Sequence, residues 1–402
     1  MVVQRYGDQV PGGAETAARV LAEHMAAAGH DVQVLTSCAV DYATWSDELP
    51  PGTAVEAGVE VTRLPVVAPR DPERFGPLTG RLHQTQRLSP SVQAAWMHEQ
   101  GPVLRGFARE LDRRIDAVEA AAFMTYLYPT TVLGLPLVAP HLPTVLHPTA
   151  HDEVPFRLPI VRTSMEQAGG LAYFSEEERE LVELRWRPTA PNSIVPVGMD
   201  LDPVVRDEGG FRERYGLGAD PYLLYLGRID PNKGAAELLD QYGRYRARTG
   251  SPLRLVMMGA EMMEVGRRDG VTVTGFVDSE VKWQALSGAM ALVQPSRQES
   301  FSIALAEAWA VEVPVLVQGE CDVLAGFTRR AEGGLAYVDD ATFHAAVELL
   351  LADEGLRREL GRSGRAHVEA QLSWPAVIGA YESLLATTVE RFRTSVRSRP
   401  LR

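Results

Sequence analysis

Cysteine is almost missing from this chain: Cys38 and Cys321 are its only two in 402 residues. Two thiols so far apart make neither a disulfide framework nor a zinc-ligand spacing, and a reducing cytoplasm is the expected compartment. Basic charge is also in short supply. Forty Lys and Arg face 53 Asp and Glu, giving a net charge of −13. That excludes a general nucleic-acid binder, which needs a basic face. The opening residues, MVVQRYGDQVPGG, lack the basic-then-apolar order of a secretory signal. Only the uncharged run 120–140 is long enough to raise a membrane span, and Pro129, Pro136 and Pro140 interrupt it. It is read as a buried strand, a loop and a short helix. A dinucleotide fingerprint is missing as well. Gly216-Leu217-Gly218 precedes a strand instead of following one, and Pro221 stands where a third glycine belongs. This sets aside a nicotinamide-dependent oxidoreductase.

What is present is an α/β alternation, repeated. Hydrophobic content of 45% and charged content of 23% suit a soluble globular chain of two or three domains. Residues 2–4 read as the end of a parallel strand; such strands usually run longer, so either the start lies upstream of Met1 or this strand is unusually short. Gly12 and Gly13 then open an alanine-rich helix over 14–28, closed by Gly29, and 31–36 is the next strand. Further strands are expected at 59–64, 120–126, 143–146 and 171–174, with helices and loops over 71–114. SEEEREL, from Ser175, reads as a capping box in which Glu178 returns to the cap. The second half repeats the layout, with a strand at 222–226, the loop GRIDPNKG over 227–234, a helix over 235–249 and strands at 253–258, 271–276 and 291–294. A last helix is expected over 374–390. Beyond it an arginine-rich tail is expected to be flexible, with at most a weak attraction to acidic lipid.

The chemistry concentrates in a few loops. Residues 296–300 form a polar turn before a helix expected over 301–310, framed by Glu299 and Glu307. Backbone N–H groups of Phe301, Ser302 and Ile303 would lie in its first turn, where the helix dipole is positive and an anion is favoured. In GRIDPNKG, Arg228 and Lys233 stand between Gly227 and Gly234, placing two cations where a diphosphate would lie. The strand at 143–146 runs into a loop with His147, His151, Asp152 and Glu153, and ligands of parallel sheets bind beyond such carboxyl ends. Taken singly, each feature also has a plain reading: a capping glutamate, a solvated helix face, a surface basic pair, a loop histidine.

Taken together they resemble retaining glycosyltransferase family 4. The spacing Glu299-x7-Glu307 is that family's glutamate motif, with Phe301 in place and Ser300 and Ser302 where glycines are usual. Gly227-Arg228-x4-Lys233-Gly234 and Gly12-Gly13-Ala14-Glu15 match two more of its phrases. VPVGMD, ending at Asp200, resembles its hinge, which places the domain boundary within 197–205.

The resemblance implies a GT-B fold of two facing Rossmann-like domains. These are 1–198 on the acceptor side and 199–373 on the donor side, with 374–402 as a crossover helix returning to the first domain plus a basic tail. It implies transfer of a sugar, with retention, from a nucleoside-diphosphate sugar to a hydroxyl acceptor. UDP- and GDP-sugars lead as donors, and the acceptor is left open. Arg228 and Lys233 would bind the diphosphate, Glu299 the sugar hydroxyls and Glu307 the ribose. Gly12, Gly13, Gly227 and the amides of Phe301, Ser302 and Ile303 would line the donor, and backbone at Phe276 and Val277 would read the base. His151 would lie near the reacting centre, with His147 and Asp152 as secondary candidates. Gly333-Gly334-Leu335 resembles a family turn near the sugar. No cofactor is expected, the donor being a co-substrate, and no metal, since no Asp-x-Asp motif lies in a suitable loop. The competing reading is a non-catalytic homologue that binds a nucleotide sugar. An exported sugar-binding protein would lack Arg228 and Lys233.

Overall fold

The computed structural model describes residues 1–84, 88–201 and 208–397. It divides into two units, Met1–Gly198 with Pro375–Arg402, and Met199–Trp374. Residues 202–205 of the expected hinge lie outside the described residues.

The first unit is built on a mostly parallel sheet. Its strands are β1 (Gln33–Ser37), β2 (Gly52–Glu56), β3 (Val59–Leu64), β4 (Ala121–Met124), β5 (Thr144–His147), β6 (Gly170–Tyr173) and β7 (Asn192–Ile194). They pair in the orders β1-β3-β2 and β4-β5-β6-β7. Val2 joins the two groups through parallel bridges to Leu35 and Phe123. The opening segment is therefore central to the sheet. β5 and β6 are buried at every residue, the pattern of a strand covered on both faces. β2 is the only antiparallel member among these strands and largely exposed, so the edge is a polar hairpin arm. The region 71–114 folds as three helices, Pro72–Gln84, Pro90–Gln100 and Phe107–Ile115.

The helix Trp374–Arg397 packs on this unit. It approaches closely because Gly169 and Gly170 have no side chain: a Cβ on Gly170 would sit 2.4 Å from Thr388 Oγ1. The helix runs seven residues beyond the expected 390, so residues 391–397 are helical and not a flexible tail. Arg391 donates to the Thr189 carbonyl there. The remainder of the expected tail, 398–402, lies outside the described residues.

The second unit holds β8 (Tyr222–Leu226), β9 (Arg254–Met258), β10 (Val271–Gly275), β11 (Ala291–Gln294), β12 (Val315–Gln318) and β13 (Gly334–Tyr337). All pairs are parallel, in the order β10-β9-β8-β11-β12-β13. In chain order that is 3-2-1-4-5-6, the doubly wound arrangement. The order reverses between β8 and β11, so the loops leaving these two strands diverge and open a crevice at their carboxyl ends. Leu223, Tyr225, Leu255, Met257, Val293 and Leu316 form the core.

Behind the crevice, the helix Ile303–Ala310 packs on the helix Glu354–Gln371. Gly361 and Gly364 make this possible. A Cβ on Gly361 would lie 1.9 Å from the Glu312 carbonyl oxygen, and one on Gly364 2.2 Å from the Trp309 indole. Gly361→Ala is therefore expected to cost about 2–3 kcal/mol by forcing two helices apart. Chemical denaturation that shows no loss would refute this packing.

Candidate active site

In the second unit the crevice receives two loops. The loop after β8 carries Gly227, Arg228, Lys233 and Gly234; the turn after β11 carries Glu299. Asp230 shapes the first loop, its carboxylate accepting from Asn232 N at 2.8 Å. Gly234 closes it with φ +75°, and a Cβ there would lie 2.4 Å from the Pro295 carbonyl. Only glycine meets both demands. Tyr225 donates its hydroxyl to the Arg228 carbonyl, holding the strand end against the loop.

These constraints bring Lys233 Nζ to 2.8 Å from Glu299 Oε1. The lysine is about a third exposed and the glutamate 13%. An ion pair so placed adds little stability, about 0–1 kcal/mol. Its effect is to fix the position of both heads. Arg228 stands on the same loop, with its guanidinium 3.9 Å from Asp230. The turn itself is braced by Arg297, which pairs with Glu237 at 3.0 Å and also with Glu320.

The helix after the turn differs from expectation. It starts at Ile303, with Ser302 as its N-cap at φ 80°. The amides of Phe301 and Ser302 therefore precede the first turn. Serine here adopts a backbone that glycine adopts freely, and this local twist delays the start of the predicted helix by two residues. The Phe301 ring is buried against Phe327, ring centres 5.2 Å apart, so only its backbone is placed to meet a ligand. Glu307 is met by a residue that the sequence did not single out. Lys282 Nζ lies 2.5 Å from Glu307 Oε1.

At the end of β10, Phe276 is 83% exposed, the most exposed large hydrophobic side chain described. Val277 is half-buried beside it. Gly333 serves packing: its carbonyl accepts from the Trp309 indole at 2.8 Å.

In the first unit, the crevice loops leave the Val2 strand and β4, with β5 beside them. Gly12 has φ +149°, and a Cβ there would lie 2.1 Å from Glu15 Oε2. Gly13 has open space where its Cβ would point, which leaves its backbone approachable. Glu15 is buried and takes Arg5 Nε at 3.0 Å, Arg5 Nη2 at 2.5 Å and Gln4 Nε2 at 2.8 Å. Arg5 in turn donates to the carbonyls of Pro11 and Val40, stitching two loops.

The histidine loop separates the three candidates that sequence had grouped. His147 is the last residue of β5 and fully buried, between Phe174 and Tyr381 with ring centres 5.9 and 5.3 Å away. Burial pushes its pKa down to about 3, so the ring is neutral. It belongs to the interior because it is still part of β5, a strand buried at every residue. His151 is half-buried, with Nδ1 3.7 Å from Glu153 Oε1. Glu153 also accepts from the buried Tyr126 hydroxyl, whose pKa burial and this carboxylate raise well above the ordinary value. Asp152 is exposed and pairs with Arg157 at 2.6 Å.

What holds this loop is Glu178. Ser175 does cap its helix, accepting from Glu178 N at 3.2 Å. The capping box does not form, because the Glu178 carboxylate reaches elsewhere. Its two oxygens accept from Ala150 N at 2.7 Å and Phe174 N at 2.6 Å, and Thr149 N adds a third donor. Glu178 is 1% exposed, and burial pushes its pKa up to about 8 against the pull of those N–H groups. Thr149 has φ 52°, so one carboxylate also stabilises a turn that threonine seldom adopts. The only sequence signal was a glutamate three residues past a serine, which local rules assign to the cap. Among the described residues, no group of three or more His, Cys, Asp or Glu is arranged to hold a metal ion. Nor is any helix there long and apolar enough to cross a membrane.

Two family models match along most of the chain. Residues 12–198 match the glycosyl transferase 4-like domain, and residues 210–367 match glycosyl transferases group 1. The chain is 27% identical over 393 residues to an alpha-D-kanosaminyltransferase of Streptomyces kanamyceticus, spanning 89% of this chain and 95% of that protein. It is 28% identical over 245 residues to a GDP-mannose-dependent alpha-(1-6)-phosphatidylinositol monomannoside mannosyltransferase of Mycobacterium tuberculosis, a match over 54% of this chain and 62% of the relative. Among solved structures, sucrose-phosphate synthase from Thermosynechococcus elongatus superposes with a TM-score of 0.66 at 20% identity, over 99% of this chain and 98% of that one. Anabaena HepE in complex with UDP-glucose gives 0.64 at 13% identity, over 99% and 98%. The two doubly wound units, the paired loop motifs and the two family matches lead to one conclusion: this chain belongs to the family-4-type glycosyltransferases of GT-B fold.

Proposed function

We propose that this glycosyltransferase moves a sugar from a nucleoside-diphosphate sugar to a hydroxyl acceptor, with retention of anomeric configuration and without a metal. The observation that carries the reading is the placement of Arg228, Lys233 and Glu299 together at the switch point of the second unit, the place where α/β sheets bind nucleotides. In this reading Arg228 and Lys233 hold the diphosphate, and their stabilisation grows as the leaving group gains charge. They supply the positive charge for which other enzymes use a metal. Glu299, held by Lys233, orients the sugar hydroxyls. The bond from the anomeric carbon to the phosphate oxygen breaks, and the acceptor oxygen bonds on the same face. Its proton goes to the departing diphosphate.

Glu307 and the exposed Phe276 suit the ribose and base ends of a nucleotide. The first unit is assigned the acceptor, and His151 the transferred sugar. Supporting the donor class, the Mycobacterium relative is named for GDP-mannose, and HepE is described in complex with UDP-glucose. Cys38 and Cys321 are both free thiols, which fits a reducing cytoplasm.

Donor hydrolysis without acceptor tests this. The purified chain, in EDTA, is incubated with UDP-, GDP-, ADP- and dTDP-sugars and followed by NMR. One donor is expected to release its diphosphate slowly, with the first-formed sugar keeping the donor's anomeric configuration. A first-formed sugar of inverted configuration would overturn retention, and hydrolysis that starts only with Mg²⁺ would overturn metal independence.

A further inference from the structure

We propose that Lys282 and Glu307 act as a pair that reads the ribose diol, making the donor pocket selective for ribonucleotides over 2′-deoxyribonucleotides. The inference rests on the donor-site reading above and deepens it.

In the reading above, Glu307 accepts from the ribose hydroxyls. Here it is not alone. Lys282, on the helix Ser279–Ser287, places Nζ 2.5 Å from Glu307 Oε1, on the helix Ile303–Ala310. The two side chains are 25% and 13% exposed. The ammonium also lies 4.9 Å from the Trp283 ring centre, which favours a cation there. One carboxylate oxygen is thus engaged before any ligand arrives.

A vicinal diol matches such a pair. One hydroxyl donates to the carboxylate. The oxygen of the other accepts from the ammonium, which has three N–H groups and spends one on Glu307. Carboxylate and ammonium then bind two neighbouring hydroxyls in opposite senses. A 2′-deoxyribose offers only one of the two. The other head is left without its partner, and sites built to bond a hydroxyl reject analogues lacking it. The donors favoured are then UDP-, GDP- or ADP-sugars, and dTDP-sugars are disfavoured.

The test is calorimetric binding of UDP against 2′-deoxy-UDP and GDP against 2′-deoxy-GDP, on the full chain. Wild type is expected to prefer the ribonucleotide by about tenfold or more. In Lys282→Met that preference falls to about threefold or less, chiefly because the ribonucleotide is weakened. Lys282→Arg, which keeps the charge, retains part of the preference and guards against a folding defect in the first variant. An unchanged ratio in Lys282→Met, with both nucleotides weakened alike, would make the lysine a structural partner only and overturn the inference. So would a wild type that binds both sugars equally. If Glu307→Gln weakens nucleotide binding while Lys282→Met leaves the ratio intact, the donor site stands and the diol pair falls. If wild type binds no nucleotide, both fall.

Discussion

Lys233→Ala and Arg228→Ala are each expected to lower kcat/KM by about 10²–10³, with the fold intact. The magnitude is that of removing one preorganised group aimed at developing transition-state charge. The separation between activity and stability follows from exposure. Arg228 is 38% exposed and Lys233 31%, so neither side chain supports the core. The Lys233–Glu299 pair is worth at most about 1 kcal/mol of stability. Its loss leaves the glutamate head free to swing, which adds a positioning defect to the loss of charge. In the proposed reading both cations act on one diphosphate, so the double variant should lose less than the product of the single effects. Steady-state kinetics with the donor found by the hydrolysis panel, beside thermal unfolding, measures both. Full activity in either single variant would remove that residue from the mechanism. Equal losses of stability and activity would instead point to a structural role.

The second large effect is expected at Glu178. Glu178→Ala strips the acceptors from three buried backbone N–H groups, at Thr149, Ala150 and Phe174. At about 1–3 kcal/mol for each buried donor left unpaired, the loss is several kcal/mol. It falls on the loop that bears His151, so activity should collapse even where the variant folds.

Glu178→Gln gives a sharper readout, because it removes a titration. The wild-type carboxyl is raised from 4.5 to about 8 by burial. A raised carboxyl binds its proton more tightly folded than unfolded, so its contribution to stability is whole below pH 4.5 and is lost as pH rises toward 8. The slope is about 1.4 kcal/mol per pH unit at most. Glutamine keeps one acceptor but turns an NH₂ toward an N–H, so it should destabilise most at low pH. The difference between wild type and Glu178→Gln is therefore expected to shrink from pH 5 to pH 8. A difference constant across that range would show that Glu178 is ionised throughout, held so by its three donors.

Glu178 also shows where sequence reading stops. Its neighbours Ser175 and Glu176–Trp186 were legible as a capped helix, because caps obey local rules. The partners that claim its carboxylate lie 28 and 4 residues away along the chain, on other elements. Lys282 was unreadable for the same reason: 25 residues separate it from Glu307. Arg228, Lys233 and Glu299 could be singled out because their local spacing resembles a family motif. That Lys233 meets Glu299 across 66 residues was not visible from either loop alone. Strand positions were easy where apolar runs are continuous, as in β8 and β11, both buried almost throughout. The missed boundaries trace to single backbone turns. At Ser302 a φ of 80° makes the helix start two residues late, at Ile303. At the far end, the helix Trp374–Arg397 continues through arginines that composition alone suggested were loose. His147 illustrates a third limit. Two histidines four residues apart look equivalent in sequence, but His147 is the last residue of a strand covered on both faces, whereas His151 lies past its end in the loop.

The account stands or falls on whether the switch-point loop 227–234 holds a nucleoside diphosphate. The measurement that asks this most directly is thermal unfolding of the purified chain against UDP, GDP, ADP and dTDP, with EDTA and then with Mg²⁺. A ligand present at one hundred times its dissociation constant, and bound only to the folded state, stabilises by roughly 2.7 kcal/mol. For a unit of this size that is an upward shift of roughly 5–10 °C. The account predicts such a shift with at least one ribonucleoside diphosphate, undiminished by EDTA and abolished in Arg228→Ala and Lys233→Ala. No shift with any of the four, in a protein that unfolds cooperatively, would contradict it.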